Sequence, residues 1–222
     1  MDTPDTIAAE YLRRNVEIDI GSAVSRGWAL VMANLPVLAG ATVIAWAVGV
    51  GLGFLLPVIG GAVGVLLGSI LHGGVLYMFI RRIRGEDVQL GDMFAGFNIA
   101  PLPLLLAGLL CGALTAVGLV LCILPGIYLA VSYLFVLPLV IDKKLDFWPA
   151  MEVSRQVVTK YWWSMFLFVI VLILIVCAGA LACGLGLIIA MPVVFAAAMY
   201  VYEDLFGTTA AVSAQIAPQV TP

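Results

Sequence analysis

"PLPLLLAGLLCGALTAVGLVLCILPGIYLAVSYLFVLPLVI", residues 101 to 141, decides the fold because it contains no charged side chain. It forms most of a block of 49 residues between Asp92 and Asp142. One helical crossing of a bilayer takes about 20 apolar residues, so the block allows two crossings and excludes three. The Pro-Gly signal within "CILPGIY" at 122–128 lies near its centre and ends helices there. The block therefore predicts a hairpin of two membrane-spanning helices.

Two further blocks repeat this pattern, with 54 residues between Arg26 and Arg81 and 42 residues between Lys160 and Glu203. Their turn signals are "LLPVIGG" at 55–61 and "CGLGL" at 183–187. Only 10% of the residues are charged, against about 25% in soluble proteins. We therefore predict an all-α integral membrane protein with six transmembrane helices, arranged as three hairpins at about 29–80, 100–141 and 164–202.

Each hairpin is preceded by a segment with helical spacing of apolar residues. In the third of these, Phe147, Met151 and Val158 fall on one side of a helix, while Glu152 and Arg155 fall on the other. Such helices lie in the membrane interface. The repeated unit is thus a cytoplasmic interfacial amphipathic helix, a span, a Gly or Pro turn, a returning span and an acidic exit.

Basic residues predict the orientation, because Lys and Arg near span ends are retained in the cytoplasm. All ten lie at the N-terminus or in the two connections between hairpins, and none lies at a hairpin tip. Both termini are therefore predicted to be cytoplasmic. The corresponding organisation is an N-terminal cytoplasmic segment at 1–18, a membrane domain at 19–206 and a flexible C-terminal tail at 207–222.

Charged residues at the cytoplasmic ends form a candidate polar interface. Its predicted members are Arg84, Glu86, Asp92, Asp142, Glu152, Arg155, Lys160, Glu203 and Asp204. One interpretation is a binding site for a lipid headgroup or a membrane protein partner, with Arg and Lys as anion ligands. The other is a set of ion pairs and helix caps that tie the surface helices to the spans.

His72 is the candidate intramembrane polar residue, since an ionisable group inside a span is a functional hypothesis. The alternative is a neutral imidazole bonded to a backbone carbonyl at a helix contact that Gly73 and Gly74 permit. The four cysteines have no metal-ligand spacing. Cys122 and Cys183 occupy equivalent places before two hairpin tips, so either a disulfide or simple apolar packing fits them.

Four stretches resemble bacterial multi-pass membrane proteins of unknown function, which are similar to the membrane domain attached to some glycerophosphodiester phosphodiesterases. They are "RGEDVQLGDMFAGF" at 84–97, "LPGIYL" at 124–129, "DFWPAMEVSRQVVTKYWW" at 146–163 and "YEDLFG" at 202–207. The resemblance covers roughly residues 18–207. It implies a six-helix protein of the bacterial cytoplasmic membrane and carries no catalytic residues, because the phosphodiesterase chemistry of the fused enzymes belongs to a separate soluble barrel.

The function predicted from the sequence is a non-catalytic membrane module that docks lipid or a protein partner on its cytoplasmic face. The single histidine lies in an apolar span, so no Ser-His-Asp or Cys-His arrangement is predicted. We predict no cofactor, no metal and no nucleic-acid partner. The alternative is a transporter or channel for a small or lipid-like solute, with His72 on its path. The sequence does not specify the ligand or the oligomeric state.

Overall fold

The computed structural model describes residues 4–14, 16–55, 60–181 and 186–207, with side chains except at 50, 52–55 and 60–66. Every regular element in this part of the chain is a helix. In chain order they are α1 Pro4–Leu12, α2 Ile20–Ala33, α3 Leu35–Leu55, α4 Gly60–Ile83, a 3-10 helix Leu90–Phe94, α5 Ala95–Ile99, α6 Pro101–Leu121, α7 Ile123–Ser132, α8 Val136–Lys143, α9 Phe147–Lys160, α10 Trp162–Leu181 and α11 Leu187–Phe206. Most of the predicted turns at 55–61 and 183–187 and nearly all of the predicted tail at 207–222 lie outside the described residues.

Four stretches of the described chain are helical, long enough and apolar enough to cross a membrane. They are Pro101–Leu121, Ile123–Lys143 (α7 and α8 together), Trp162–Leu181 and Leu187–Phe206. A fifth is present if Ile20–Ala33 and Leu35–Gly49, bent by 100° at their junction, count as one span. The structure therefore confirms the all-helical class and the membrane character predicted from the sequence.

The first helical pair bends sharply at Asn34, where the sequence predicts continuous entry into a span from about residue 29. The Asn34 side chain donates to the Leu30 carbonyl at 2.9 Å, which gives the backbone at the end of α2 a local partner. Helix α2 then packs along α11, where a Cβ on Gly27 would lie only 2.9 Å from the Ala197 backbone nitrogen. Glycine at this position therefore allows the two backbones to approach closely.

The segment from Leu90 to Ile99 packs against α4. A Cβ on Gly74 would overlap the Met93 carbonyl, and one on Gly96 would overlap the Ile70 carbonyl. This apolar segment, predicted as the lead-in to the second hairpin, is thus held directly against the first hairpin by glycine contacts.

The chain between Ile123 and Lys143 is interrupted after Ser132 and resumes as α8 at Val136. Helix α6 packs antiparallel to α7, with a close approach of Gly118 to Gly126. Helix α9 then runs back along α8 and α7. Its Ser154 hydroxyl donates to the Ser132 carbonyl at 2.7 Å. Helix α7 with α8 therefore packs side by side with α6 and with α9.

Candidate functional site

Arg84 terminates α4 in a position that the backbone fixes. Gly85 has a positive φ of 83°. Its N–H donates to the Arg82 carbonyl and the Glu86 N–H donates to the Arg81 carbonyl. This pair of bonds is a Schellman motif, in which a left-handed glycine closes the helix. Arg84 is the last residue before that glycine, so its side chain projects from a rigid helix end.

Two acidic residues from other helix ends meet the Arg84 guanidinium. Asp142, near the end of α8, receives two parallel hydrogen bonds from Nη1 and Nη2 at 2.6 and 2.9 Å. Glu203, in the last turn of α11, accepts from Nε at 2.8 Å. Tyr202 adds a hydroxyl bond to Asp142 at 2.8 Å. We call Arg84, Asp142, Tyr202 and Glu203 the Arg84 cluster; it fastens the ends of α4, α8 and α11 together.

The carboxylates of this cluster are withdrawn from solvent, with side-chain exposures of 3% for Asp142 and 1% for Glu203. The guanidinium is half-buried. Burial alone lowers the pKa of Arg84, but the hydrogen bonds and charges of Asp142 and Glu203 outweigh it and raise the pKa above its ordinary value. Arg84 therefore stays charged, and its planar fork serves two acids at once.

Glu203 uses only one of its oxygens in this pairing. Among the described residues, no hydrogen-bond partner reaches its buried Oε2. A Cβ on Gly207 would lie 2.5 Å from that oxygen and closer still to the Glu203 carbonyl. The Gly207 carbonyl in turn accepts from Arg14 Nη1 at 2.5 Å. Glycine at 207 thus leaves room for the Glu203 carboxylate, and the N-terminal segment closes over the end of α11.

The other predicted acids at hairpin exits have separate partners. Asp204 pairs with Arg26 of α2 at 2.7 Å, and that guanidinium also lies over the Tyr200 ring. Glu86 and Asp92 both pair with Arg81, at 2.6 and 3.3 Å. These pairs connect α2 to α11 and the end of α4 to the 3-10 helix.

The α9 residues form a third group. Glu152 accepts from Arg155, and this bond lowers the pKa of the carboxyl below its usual value while it raises the pKa of the guanidinium. Lys160 donates to the Leu12 and Arg14 carbonyls, both at 2.8 Å. These contacts hold α1 on the outer side of α9.

The structure thus divides the single predicted polar interface into three groups of contacts within the chain. Each of the nine predicted residues has an ion-pair or hydrogen-bond partner within the chain. Sequence reasoning missed Tyr202, the bond of Arg14 to the Gly207 carbonyl and the pairing of Arg26 with Asp204. Tyr202 directly precedes Glu203, and the two arginines belong to the basic set used for orientation, but only tertiary packing selects their partners.

His72 lines a cavity of about 420 Å³ between α3, α4 and α11. Its ring contacts Phe195 edge to face, with 5.0 Å between the ring centroids. Among the described residues, no hydrogen bond to the imidazole is seen, so the predicted bond to a backbone carbonyl is not present there. Gly73 instead contacts Leu104, and Gly74 contacts the Met93 carbonyl.

A second cavity of about 470 Å³ adjoins the first. The two share Thr42 and Trp46 of α3 and Met191 of α11, while Val176 of α10 forms the far wall. We call the combined space the His72 groove. Its lining is apolar apart from the imidazole and the Thr42 hydroxyl, which donates to the Leu38 carbonyl within its own helix.

Cys111, Cys122 and Cys177 are free thiols, and Cys183 lies outside the described residues. Because the Cys122 thiol is free, the disulfide alternative for this residue is not seen in the structure. In the described ranges, no group of three or more side chains is placed to hold a metal ion.

Fold and site together define a helical membrane protein whose helix ends are joined by buried ion pairs and whose helices enclose an apolar groove. No protein-family model matches the chain. It is 25% identical over 150 residues to an uncharacterized protein of Mycobacterium bovis (strain ATCC BAA-935 / AF2122/97) and to an uncharacterized protein of Mycobacterium tuberculosis (strain CDC 1551 / Oshkosh). Each match covers 68% of this chain and 46% of the relative, so the chain spans about half the length of the curated relatives it matches. No solved structure matches.

Proposed function

We propose that the protein is a non-catalytic module of the bacterial cytoplasmic membrane that binds a lipid-like molecule in the His72 groove. The observation that carries this proposal is the pair of adjoining cavities, about 420 and 470 Å³, that meet at Thr42, Trp46 and Met191. Ligand sites in proteins have volumes of about 300–1,000 Å³, mostly apolar walls and a few polar groups. The groove has this composition.

The position of the groove favours a ligand that arrives from the bilayer. Its walls belong to helices α3, α4, α10 and α11, and the last two are apolar enough to cross a membrane. Val43, Trp46 and Ile188 line the groove and are also exposed on the outside of the molecule. A lipid chain can therefore enter sideways between α3 and α10.

His72 gives the site its polar group. An imidazole at the bottom of an apolar space, next to the Phe195 ring, is able to donate or accept one hydrogen bond from a ligand. Buried polar groups are normally paired, so an unpaired one facing a cavity supports a role in binding.

The charged face supports docking less well than the sequence predicts. Its acids and bases already bond to one another or to backbone carbonyls, as in the pairs Arg84–Asp142 and Arg26–Asp204. A headgroup or protein partner would have to displace these bonds. We therefore place the lipid in the groove, and we keep the charged face as a structural support.

The topology we propose places both termini in the cytoplasm, with α3 and α4 and with α10 and α11 as crossing hairpins. The middle hairpin, α6 to α8, returns to the side from which it starts. The predicted side of both termini therefore does not depend on how deeply this hairpin enters the bilayer. The resemblance to the membrane domain attached to some glycerophosphodiester phosphodiesterases supports this compartment.

The experiment is native mass spectrometry of the protein released from its own membrane, with lipid analysis of the bound fraction. Gly68 lines the groove, and a Cβ there meets nothing within 4 Å, so Gly68→Leu is the variant chosen to occupy part of the space. Gly112 of α6 is equally open and lies outside the groove, so Gly112→Leu is the matched control. We expect a retained lipid in the wild type and in Gly112→Leu, and its loss in Gly68→Leu. Equal retention in all three would refute the site.

Transport of the same lipid-like solute is the second candidate, because the groove reaches His72 from the bilayer side. A flux assay in liposomes separates the two functions. Binding without His72-dependent flux identifies a binding module, and flux that His72→Ala abolishes identifies a transporter.

A further inference from the structure

The returning arm of the middle hairpin has an unexpected neighbour. Helix α9 follows α8 after a connection of three residues and runs antiparallel to α8 and α7. Ser154 bonds to the Ser132 carbonyl, and the hydroxyls of Thr159 and Tyr128 are 2.7 Å apart. The segment from Tyr128 to Lys143 therefore lies beside α9. If both are parallel to the membrane surface, they lie at the same distance from it. If both are tilted into the bilayer, they cover the same range of depth.

The outer side of α9 is polar, and the amphipathic helix α1 covers it. Gln156 donates to Asp5 of α1 at 2.8 Å, and Lys160 donates to two carbonyls of the segment that follows α1. Glu152 and Arg155 pair on the same side. Both helices therefore belong in water or among headgroups.

The free energy of moving α9 into the hydrocarbon decides whether α7 and α8 lie along the membrane surface or cross the bilayer. Helix α9 has 14 residues, a length of about 21 Å, which is most of the roughly 30 Å hydrocarbon thickness. If α7 and α8 crossed the bilayer, α9 would carry Glu152, Arg155 and Lys160 into the hydrocarbon with them. Each such charge at the bilayer centre costs about 2.5–3.5 kcal/mol on insertion scales. Pairing of Glu152 with Arg155 reduces this sum, but α1 would add further polar groups.

A second contact fixes the level of the membrane surface. The Tyr128 ring packs on Trp162, the first residue of α10, with 5.1 Å between the ring centroids. Tyr and Trp are concentrated at the headgroup level. The predicted hairpins place the turn at 122–128 and the start of the third hairpin, at about residue 164, on opposite sides of the bilayer, whereas the structure brings Tyr128 and Trp162 together.

The turn between α6 and α7 extends beyond this level. Its side chains are apolar and strongly exposed, with 87% of Val120, 80% of Leu121 and 76% of Leu124 accessible. Six residues separate Tyr128 from the turn at Cys122, a helical length of about 9 Å. Interfacial elements bury their apolar faces by about 5–10 Å.

We propose that the α6–α7 turn, residues 117–127, is a membrane-docking surface that dips into one lipid leaflet from the same side as α1 and α9 and goes no further. Its partner is the acyl region of that leaflet next to α10. The protein then has two crossing hairpins and one re-entrant hairpin, which reduces the six crossings predicted from the sequence to four. This proposal does not depend on the ligand of the His72 groove.

The geometry of the turn fits such a wedge. A Cβ on Gly118 would lie 3.0 Å from the Gly126 Cα, so the two helices meet backbone to backbone and the tip is narrow. Two backbone hydrogen bonds close the wedge, since Cys122 donates to the Gly118 carbonyl and Gly126 donates to the Cys122 carbonyl. Re-entrant backbone at membrane depth requires such internal pairing.

Spin labels test the proposal in the full-length protein in liposomes. Single cysteines at the accessible positions Leu124 and Ala130 and at the half-buried Leu137 carry the labels, in a background with the four native cysteines replaced by alanine. Depth follows from relaxation by oxygen against relaxation by a water-soluble nickel chelate. We expect depth to be greatest at 124 and to fall steadily through 130 to 137.

Labels at Leu167, Leu174 and Leu181 of α10 are the matched series, since these positions are exposed on a helix long enough to cross. There the greatest depth is expected at the middle position. If the 123–143 segment shows the same profile, with 130 deeper than both 124 and 137, it crosses the bilayer and the re-entrant hairpin is wrong.

Discussion

Replacement of Arg84 by methionine tests whether one guanidinium holds three helix ends together. Methionine keeps the apolar stem and removes the donors, so Asp142 and Glu203 remain as buried carboxylates without their common partner. Removal of one member of a buried ion pair costs about 3–5 kcal/mol. Because the Arg84 side chain is 27% exposed, we expect the lower end, about 3 kcal/mol. For a chain of this size, that loss lowers the melting temperature by about 6–12 °C.

The assay is thermal unfolding of the detergent-solubilised protein, followed by circular dichroism. Arg82→Met is the matched control, because Arg82 lies at the same helix end and its ion-pair partner, Asp87, is fully exposed. The control is expected to melt with the wild type. In the triple variant Arg84→Met, Asp142→Asn and Glu203→Gln, the charges are removed together, and most of the loss is expected to be recovered. If Arg84→Met melts with Arg82→Met, the cluster contributes nothing to stability and the reasoning fails.

Three further variants are expected to have distinct effects in the same assay. Gly207→Ala places a Cβ against the carbonyl and Oε2 of Glu203, so a destabilisation of about 1–3 kcal/mol is expected. His72→Ala removes an aromatic pair and no hydrogen bond, so a loss of only about 0.5–1.5 kcal/mol is expected. Glu152→Gln removes a carboxyl whose pKa the Arg155 hydrogen bond lowers. Its contribution, below about 0.5 kcal/mol for such an accessible pair, is therefore present above the ordinary glutamate pKa and disappears as the pH falls through the lowered value.

Each of these outcomes has a control in the same chain. Gly112→Ala, in open space, is expected to leave stability equal to or slightly above the wild type, because alanine favours a helix. His72→Phe keeps the ring contact and should restore the melting temperature. Glu152→Gln is measured at pH 7 and at pH 3; a difference from the wild type that is larger at pH 3 would have the wrong sign and contradict the assignment.

The sequence predicts the helical membrane class well because charge-free blocks and turn signals are local features. The 49-residue block before Asp142 sets the limits of two apolar helices, and the structure places α6 and α7 with α8 there. The sequence also selects the residues of the Arg84 cluster apart from Tyr202. It does not give their partners, because Arg84 and Glu203 are 119 residues apart and the pairing depends on how the hairpins pack.

Depth in the membrane is harder to predict from the sequence than helix content. Hydropathy assigns the segment after Cys122 to a span because it is apolar, but an apolar helix is equally suited to burial within the protein. Val136, Leu139 and Val140 of α8 are fully or almost fully buried. The short distance from Ile127 to Ile141, 15 residues, is the local signal that a full crossing is not required there.

The charges of the Arg84 cluster are related to the helix dipoles that meet there. The C-terminal ends of α4, α8 and α11 each carry about −0.5 elementary charge, and Asp142 and Glu203 add two negative charges where such charges are unfavourable. Arg84 supplies one positive charge, and Lys143 supplies another at 3.3 Å from Asp142. The remaining negative potential explains why a third cation, Arg14, caps the Gly207 carbonyl. The N-terminal segment is therefore held by the attraction between Arg14 and the negative helix ends, in addition to the packing of Ala8 against the hydrophobic core.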